Sequence, residues 1–127
     1  MIRSISSALI YVVATATLAF AAENHVHKGK QGGIMADTTG HHHVELVAKD
    51  QAIELYVLHD DGELEDIDGA KATATVLSGG KTEKIALTPA GSALKGSGNA
   101  KLAKGDTVVI SLTMPGHKAE QARLTLD

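Results

Sequence analysis

The chain has 127 residues, with 12 Lys and Arg against 15 Asp and Glu, and it contains no cysteine. A mildly acidic chain without a basic patch is a poor partner for nucleic acid or anionic lipid. The absence of cysteine excludes disulfide bridges, thiolate zinc sites and blue-copper centres. Because only 2% of the residues are aromatic, the core must be aliphatic, and no aromatic platform for sugars or bases is expected.

The first 21 residues have the pattern of a secretion signal. Arg3 supplies a positive charge, residues 4–22 are uncharged, and small residues at positions 19 and 21 form a cleavage site. The alternative is an uncleaved membrane anchor, since nineteen uncharged residues can just span a bilayer. The many Ser, Thr and Ala residues favour cleavage after Ala21. The mature chain then carries no membrane segment, and its net charge changes from −3 to −4 because Arg3 is lost.

Residues 22–40 are predicted to form a flexible arm, because glycines and polar residues alternate there without apolar periodicity. From residue 41 onward, short alternating runs separated by Gly, Asp and Pro are typical of half-buried antiparallel strands. Seven strands are predicted, at residues 42–49, 52–59, 72–78, 82–88, 93–95, 107–114 and 120–126. We therefore expect residues 41–127 to form an all-β domain, a seven-stranded antiparallel Greek-key sandwich of immunoglobulin-like type. A small antiparallel β-barrel is the alternative.

The triplet His41, His42 and His43 is the strongest chemical signal in the chain, because neutral imidazole is a preferred ligand of zinc, copper and nickel. If strand pairing begins at residue 41, His41 and His43 share a face with Cα atoms about 6.5–7 Å apart, close enough to hold one ion. His42 is then an auxiliary ligand. Glu45 continues the same face and is predicted to ligate the ion or to orient a histidine. The alternative is a polar strand entry whose histidines face water.

A second pair, His25 and His27, lies on the predicted arm and could fold back as auxiliary ligands, or remain a solvated tail. Thioethers suit Cu(I), although methionines in strands more often belong to the core. The weaker candidate ligands are Met35, His59, Met114 and His117.

The acidic run at residues 60–69 does not match the spacing of a calcium-binding loop, so it is interpreted as a solvated connection. The chain has no zinc-protease, nucleophile-elbow or phosphate-loop motif. We therefore expect no enzymatic activity.

Three motifs resemble a bacterial group of small periplasmic proteins found with heavy-metal efflux systems. They are His-Lys-Gly followed by Gly-Gly at 27–33, His-His-Val-Glu-Leu at 42–46 and Thr-Met-Pro-Gly at 113–116. A similar segment occurs near the N-terminus of some efflux adaptor subunits, but the adaptor hairpin and lipoyl-like portions are missing here. The resemblance implies a periplasmic location and a metal-resistance setting, with an efflux complex as a partner, and it does not identify the ion.

Together these observations predict a periplasmic protein that binds copper, zinc, nickel or cobalt and acts as a buffer or carrier in heavy-metal resistance. The alternative is an exported protein–protein interaction module whose histidines are incidental.

Overall fold

The computed structural model describes residues 28–127, and these residues form eight β-strands. The strands are β1 (Ile34–Asp37), β2 (His43–Lys49), β3 (Ala52–Leu58), β4 (Lys71–Ser78), β5 (Lys81–Ala90), β6 (Ala93–Ser97), β7 (Thr107–Thr113) and β8 (Glu120–Thr125). The predicted signal peptide and the pair His25 and His27 lie outside the described residues. Within residues 28–127, no helix has the length and apolar character needed to cross a membrane.

The eight strands form one antiparallel sheet in the order β1-β2-β3-β6-β5-β4-β7-β8. Strands β4, β5 and β6 follow one another as neighbours, and β7 returns to pair with β4, which is the Greek-key order. The two end strands approach each other, because the Thr39 N–H donates to the Gln121 carbonyl at 2.8 Å. The Gln121 N–H donates in turn to the Thr39 hydroxyl oxygen at 3.0 Å. The all-β prediction is confirmed, and the nearly closed sheet corresponds to the barrel alternative rather than to two separate sheets.

The eighth strand is β1, which falls inside the predicted flexible arm. It pairs with β2 along its whole length, with Ile34 opposite Leu46 and Asp37 opposite His43. Ile34 and Ala36 also pack against the core. The predicted boundary at residue 41 is therefore wrong for the described part of the arm, since the domain includes this strand. Four residues are too few for an alternating pattern to be distinguished from a loop.

Alternating aliphatic side chains from all parts of the sheet fill the barrel. In β7, for example, Val108, Ile110 and Leu112 are fully buried, and the residues between them are partly exposed. The β4–β5 turn contains Gly79 and Gly80 at φ values of 54° and 81°, a left-handed conformation that glycine adopts without strain. The glycine pair thus forms the turn of the β4–β5 hairpin.

The two ends of the barrel differ in chemistry. Because neighbouring strands are antiparallel, the connections at residues 38–42, 59–70 and 114–119 emerge at the same end. We call this the histidine end, since it contains every histidine of the described residues: His41, His42, His43, His59 and His117. At the opposite end the seam between β1 and β8 is open, and a cavity of about 320 Å³ lies there between Ile34 and Leu126.

Candidate functional site

His42 is the buried histidine of the triplet, with 8% of its surface exposed. It lies in a tight turn in which the Thr38 N–H donates to the His42 carbonyl at 3.0 Å and the His42 N–H donates to the Thr38 hydroxyl at 3.2 Å. Its ring stands between two carboxylates. Nδ1 is 2.6 Å from Oε2 of Glu120, and Nε2 is 3.2 Å from Oε2 of Glu65. The imidazole is therefore fixed in orientation from both sides.

Glu120 occupies the first inward-facing position of β8 and is buried. Its Oε2 accepts hydrogen bonds from His42 and from the Thr38 hydroxyl, the latter at 3.0 Å. Burial alone raises the pKa of this carboxyl, but the hydrogen bonds from His42, Thr38 and the His41 backbone outweigh burial and hold the pKa below its ordinary value. Gly40 leaves the space that the carboxyl group occupies, because a Cβ at residue 40 would overlap it.

Glu65 reaches the same imidazole from the connection between β3 and β4. Its backbone N–H donates to the Val57 carbonyl at 2.9 Å, and Leu58 forms a bridge with Leu64, so the loop folds back onto β3. The Glu65 Oε2 atom is buried and has no hydrogen bond from any described residue. Its 3.2 Å contact with His42 Nε2 is within ion-pair distance but lacks hydrogen-bond geometry. A buried carboxylate oxygen of this kind requires an explanation, such as an ion.

Two more imidazoles border the same position. Nδ1 of His59 is 3.7 Å from Oε2 of Glu65, and the His59 side chain is half exposed. The ring of His117 stands edge-on to the ring of His42, with centroids 5.5 Å apart and an interplanar angle of 88°. We call these five residues the His42 cluster: His42, His59, His117, Glu65 and Glu120. In residues 28–127, no group of three or more His, Asp or Glu side chains is arranged to hold a metal ion as it stands.

His41 and His43, which were predicted as the principal ligands, have different surroundings. The predicted convergence depends on strand pairing from residue 41, but β2 begins at His43. His41 is exposed. The His43 ring lies between two carboxylates, with Nδ1 2.5 Å from Asp37 and Nε2 3.2 Å from Asp60. The hydrogen bond to Asp37 is the main cause that raises the pKa of His43, and it favours the protonated imidazole, which cannot ligate a metal.

Glu45 has a structural role that the sequence does not predict. It is 1% exposed, and its Oε2 accepts backbone N–H groups from Gln31 at 2.8 Å and Gly33 at 3.0 Å. This carboxylate therefore anchors the turn that precedes β1. The predicted role of Glu45 as a ligand or as an orienting group for a histidine is corrected accordingly, because its hydrogen bonds go to backbone amides.

The remaining predicted ligands are placed as follows. Met35 is half-buried in β1, and Met114 is buried in the aliphatic core immediately after β7. His59 and His117 belong to the His42 cluster. The positions of His25 and His27 lie outside the described residues.

Sequence reasoning missed Glu65 and Glu120. Ala122, Leu124 and Leu126 alternate along the strand predicted at 120–126, and the same alternation extended backwards by two residues reaches Glu120. Glu65 has a weaker signal, because it is one of six acids in a single loop and no local pattern distinguishes it from the other five. The buried Ile67 nearby is an apolar residue within the acidic run and indicates that part of the loop turns inward.

No protein-family model matches the chain, and no curated protein or solved structure matches it either. What the chain does must therefore be inferred from the chemistry of its own residues.

Proposed function

We propose that this chain is an exported metal-binding protein that takes up a divalent transition metal or copper ion at the histidine end of its barrel. It acts as a periplasmic buffer or carrier for that ion beside a heavy-metal efflux complex. The observation that supports this proposal best is the buried Oε2 atom of Glu65. It faces Nε2 of His42 without a hydrogen-bond donor among the described residues.

The pairing of His42 with Glu120 supports the same conclusion. Metal-ligating histidines commonly donate their second ring N–H to a carboxylate, which fixes the tautomer and leaves the other nitrogen for the ion. In the tautomer that donates Nδ1–H to Glu120, whose Oε2 is 2.6 Å away, Nε2 has a free lone pair 3.2 Å from the Glu65 oxygen but not aimed at it. A metal ion bound by both atoms would lie off the line that joins them, which agrees with the lack of hydrogen-bond geometry between them.

The surface around the cluster also favours cations. The 59–70 connection carries six acidic residues, namely Asp60, Asp61, Glu63, Glu65, Asp66 and Asp68. A cluster of like-charged side chains raises the local concentration of counter-ions and the rate at which they associate with the surface. The acidic run interpreted as a solvated loop can thus serve as a collecting surface for the site beneath it.

The biological setting is proposed from the sequence. The secretion-signal pattern of residues 1–21 supports export, and the motifs shared with small proteins of heavy-metal efflux systems support a role in metal resistance.

Calorimetric titration of purified residues 22–127 with Zn(II), Cu(II), Ni(II) and Co(II) tests the proposal. Glu65→Gln should weaken binding of the preferred ion by at least ~10-fold, because it removes the negative charge at the buried oxygen. Glu63→Gln is the matched control, since it removes one charge two residues away on an exposed side chain, and it should weaken binding far less than Glu65→Gln. If none of the four ions binds, the interaction-module alternative replaces the metal-binding proposal.

A further inference from the structure

The spacing of the donor atoms in the His42 cluster matches a tetrahedral metal ion. Zinc binds imidazole nitrogen and carboxylate oxygen at about 2.0–2.2 Å, so neighbouring donors in a tetrahedron are about 3.3–3.6 Å apart. Nε2 of His42 is 3.2 Å from Oε2 of Glu65, and Nδ1 of His59 is 3.7 Å from the same oxygen. Small rotations of the half-exposed His59 side chain would bring all three donors into range.

His117 is in a position to supply a fourth donor. Two imidazoles that bind one tetrahedral ion at about 2.0–2.1 Å have ring centroids about 5 Å apart. The centroids of His42 and His117 are 5.5 Å apart, with perpendicular rings. Because His117 is exposed, its ring can turn towards the ion without disturbing the core.

The charges of the cluster favour a divalent ion. Glu65 lies beside Nε2, where the ion would bind, and Glu120 contacts the opposite edge of the same ring at Nδ1, so the cluster contains two carboxylates. A divalent cation neutralises them, whereas Cu(I) would leave one negative charge in a partly buried site. Cu(I) also prefers soft sulfur donors, and Met114 is buried in the aliphatic core.

From these observations we infer that the His42 cluster is a tetrahedral site for Zn(II) or Co(II), with His42 Nε2, His59 Nδ1, Glu65 and His117 as its four ligands. This inference rests on the proposed function and narrows it to one class of ion. Glu120 is a positioning residue that holds the tautomer and orientation of His42. The two ligands nearest solvent, His59 and His117, form the side through which the ion enters and leaves, as a carrier requires.

Cobalt substitution tests the geometry directly, because tetrahedral Co(II) absorbs visible light far more strongly than octahedral Co(II). We expect the wild-type protein to give the intense tetrahedral bands and to lose them when Zn(II) displaces the cobalt. His59→Ala should weaken Zn(II) binding at least ~10-fold and abolish the intense bands. His117→Ala should weaken binding by a smaller factor and change the spectrum, and exposed His41 provides the control variant His41→Ala, which should change neither.

A second experiment measures the affinity for Cu(I) by competition with a Cu(I)-specific chelator. We expect the protein to bind Zn(II) more tightly than Cu(I). The inference is overturned if Cu(I) is held more tightly, if the cobalt spectrum is octahedral, or if His59→Ala binds Zn(II) as well as wild type. In each of these cases an ion still binds, so the proposed function survives. Absence of binding by every ion overturns both.

Discussion

Replacing Gly40 with alanine tests whether the space beside this glycine holds Glu120 in place. Gly40 is not among the glycines with positive φ, so alanine introduces no backbone strain there. The added Cβ would overlap the carboxyl group of Glu120, which must then leave the cluster. It loses its hydrogen bonds with His42 at 2.6 Å and Thr38 at 3.0 Å. Hydrogen bonds to charged groups contribute roughly 1.5–3 kcal/mol each, and hydration of the released carboxylate offsets part of this, so we expect a loss of about 2–4 kcal/mol in the free energy of unfolding.

Urea unfolding followed by far-ultraviolet circular dichroism measures this loss, and a double-mutant cycle identifies its cause. In a Glu120→Ala background the added methyl group meets no carboxylate, so Gly40→Ala should cost little there. An equal cost in both backgrounds would refute the mechanism. Because His42 also loses the partner that fixes its tautomer, Zn(II) affinity of Gly40→Ala should fall about 10–100-fold.

Three further outcomes are expected. Hydrogen bonds outweigh burial and lower the pKa of Glu120, so its contribution to stability is complete above its ordinary pKa of 4.5 and is lost as the pH falls through the lower folded-state value. Urea midpoints of Glu120→Gln should accordingly vary less with pH in the acid range than those of wild type. Asp37 raises the pKa of His43 above 6.5, so this pair stabilises the fold fully below pH 6.5 and ceases to do so as the pH rises through the folded-state value. Because Asp37 is exposed, this ion pair contributes at most about 1 kcal/mol to the free energy of unfolding. Asp37→Asn should remove that pH-dependent contribution, which urea unfolding at several pH values measures. Glu45→Gln should lower the free energy of unfolding by about 1–3 kcal/mol, because it weakens one buried and one partly buried hydrogen bond. It should leave the Zn(II) affinity measured by calorimetry unchanged, and unchanged stability would contradict the anchoring role.

Strands with a long alternating pattern could be predicted from the sequence. The strand predicted at residues 107–114 is observed at Thr107–Thr113, because its aliphatic residues recur at every second position and face one core. β1 could not be predicted in this way. Its four residues are held by pairing with β2 and by contacts with the core, and neither is visible in a local pattern.

The histidine triplet lies at the end of the barrel where the site is proposed, but the sequence does not show which of its three imidazoles is buried. Which ring is buried depends on the turn formed between Thr38 and His42, and this turn exists only because β1 pairs with β2. The carboxylates were harder to identify, since Glu120 is 78 residues from His42 along the chain. Contacts at such separation are produced by the closure of the barrel, which local periodicity cannot reveal.

The seam between β1 and β8 has a consequence for local unfolding. It is joined by the Thr39–Gln121 hydrogen bonds and by the Thr38–Glu120 contact, all at the histidine end. Fraying of β1 from the open end would therefore stop at Thr38 unless those bonds also break. If the proposed ion binds in the His42 cluster, it would link the connections on either side of this seam, and amide hydrogen exchange in β1 should then slow on metal addition.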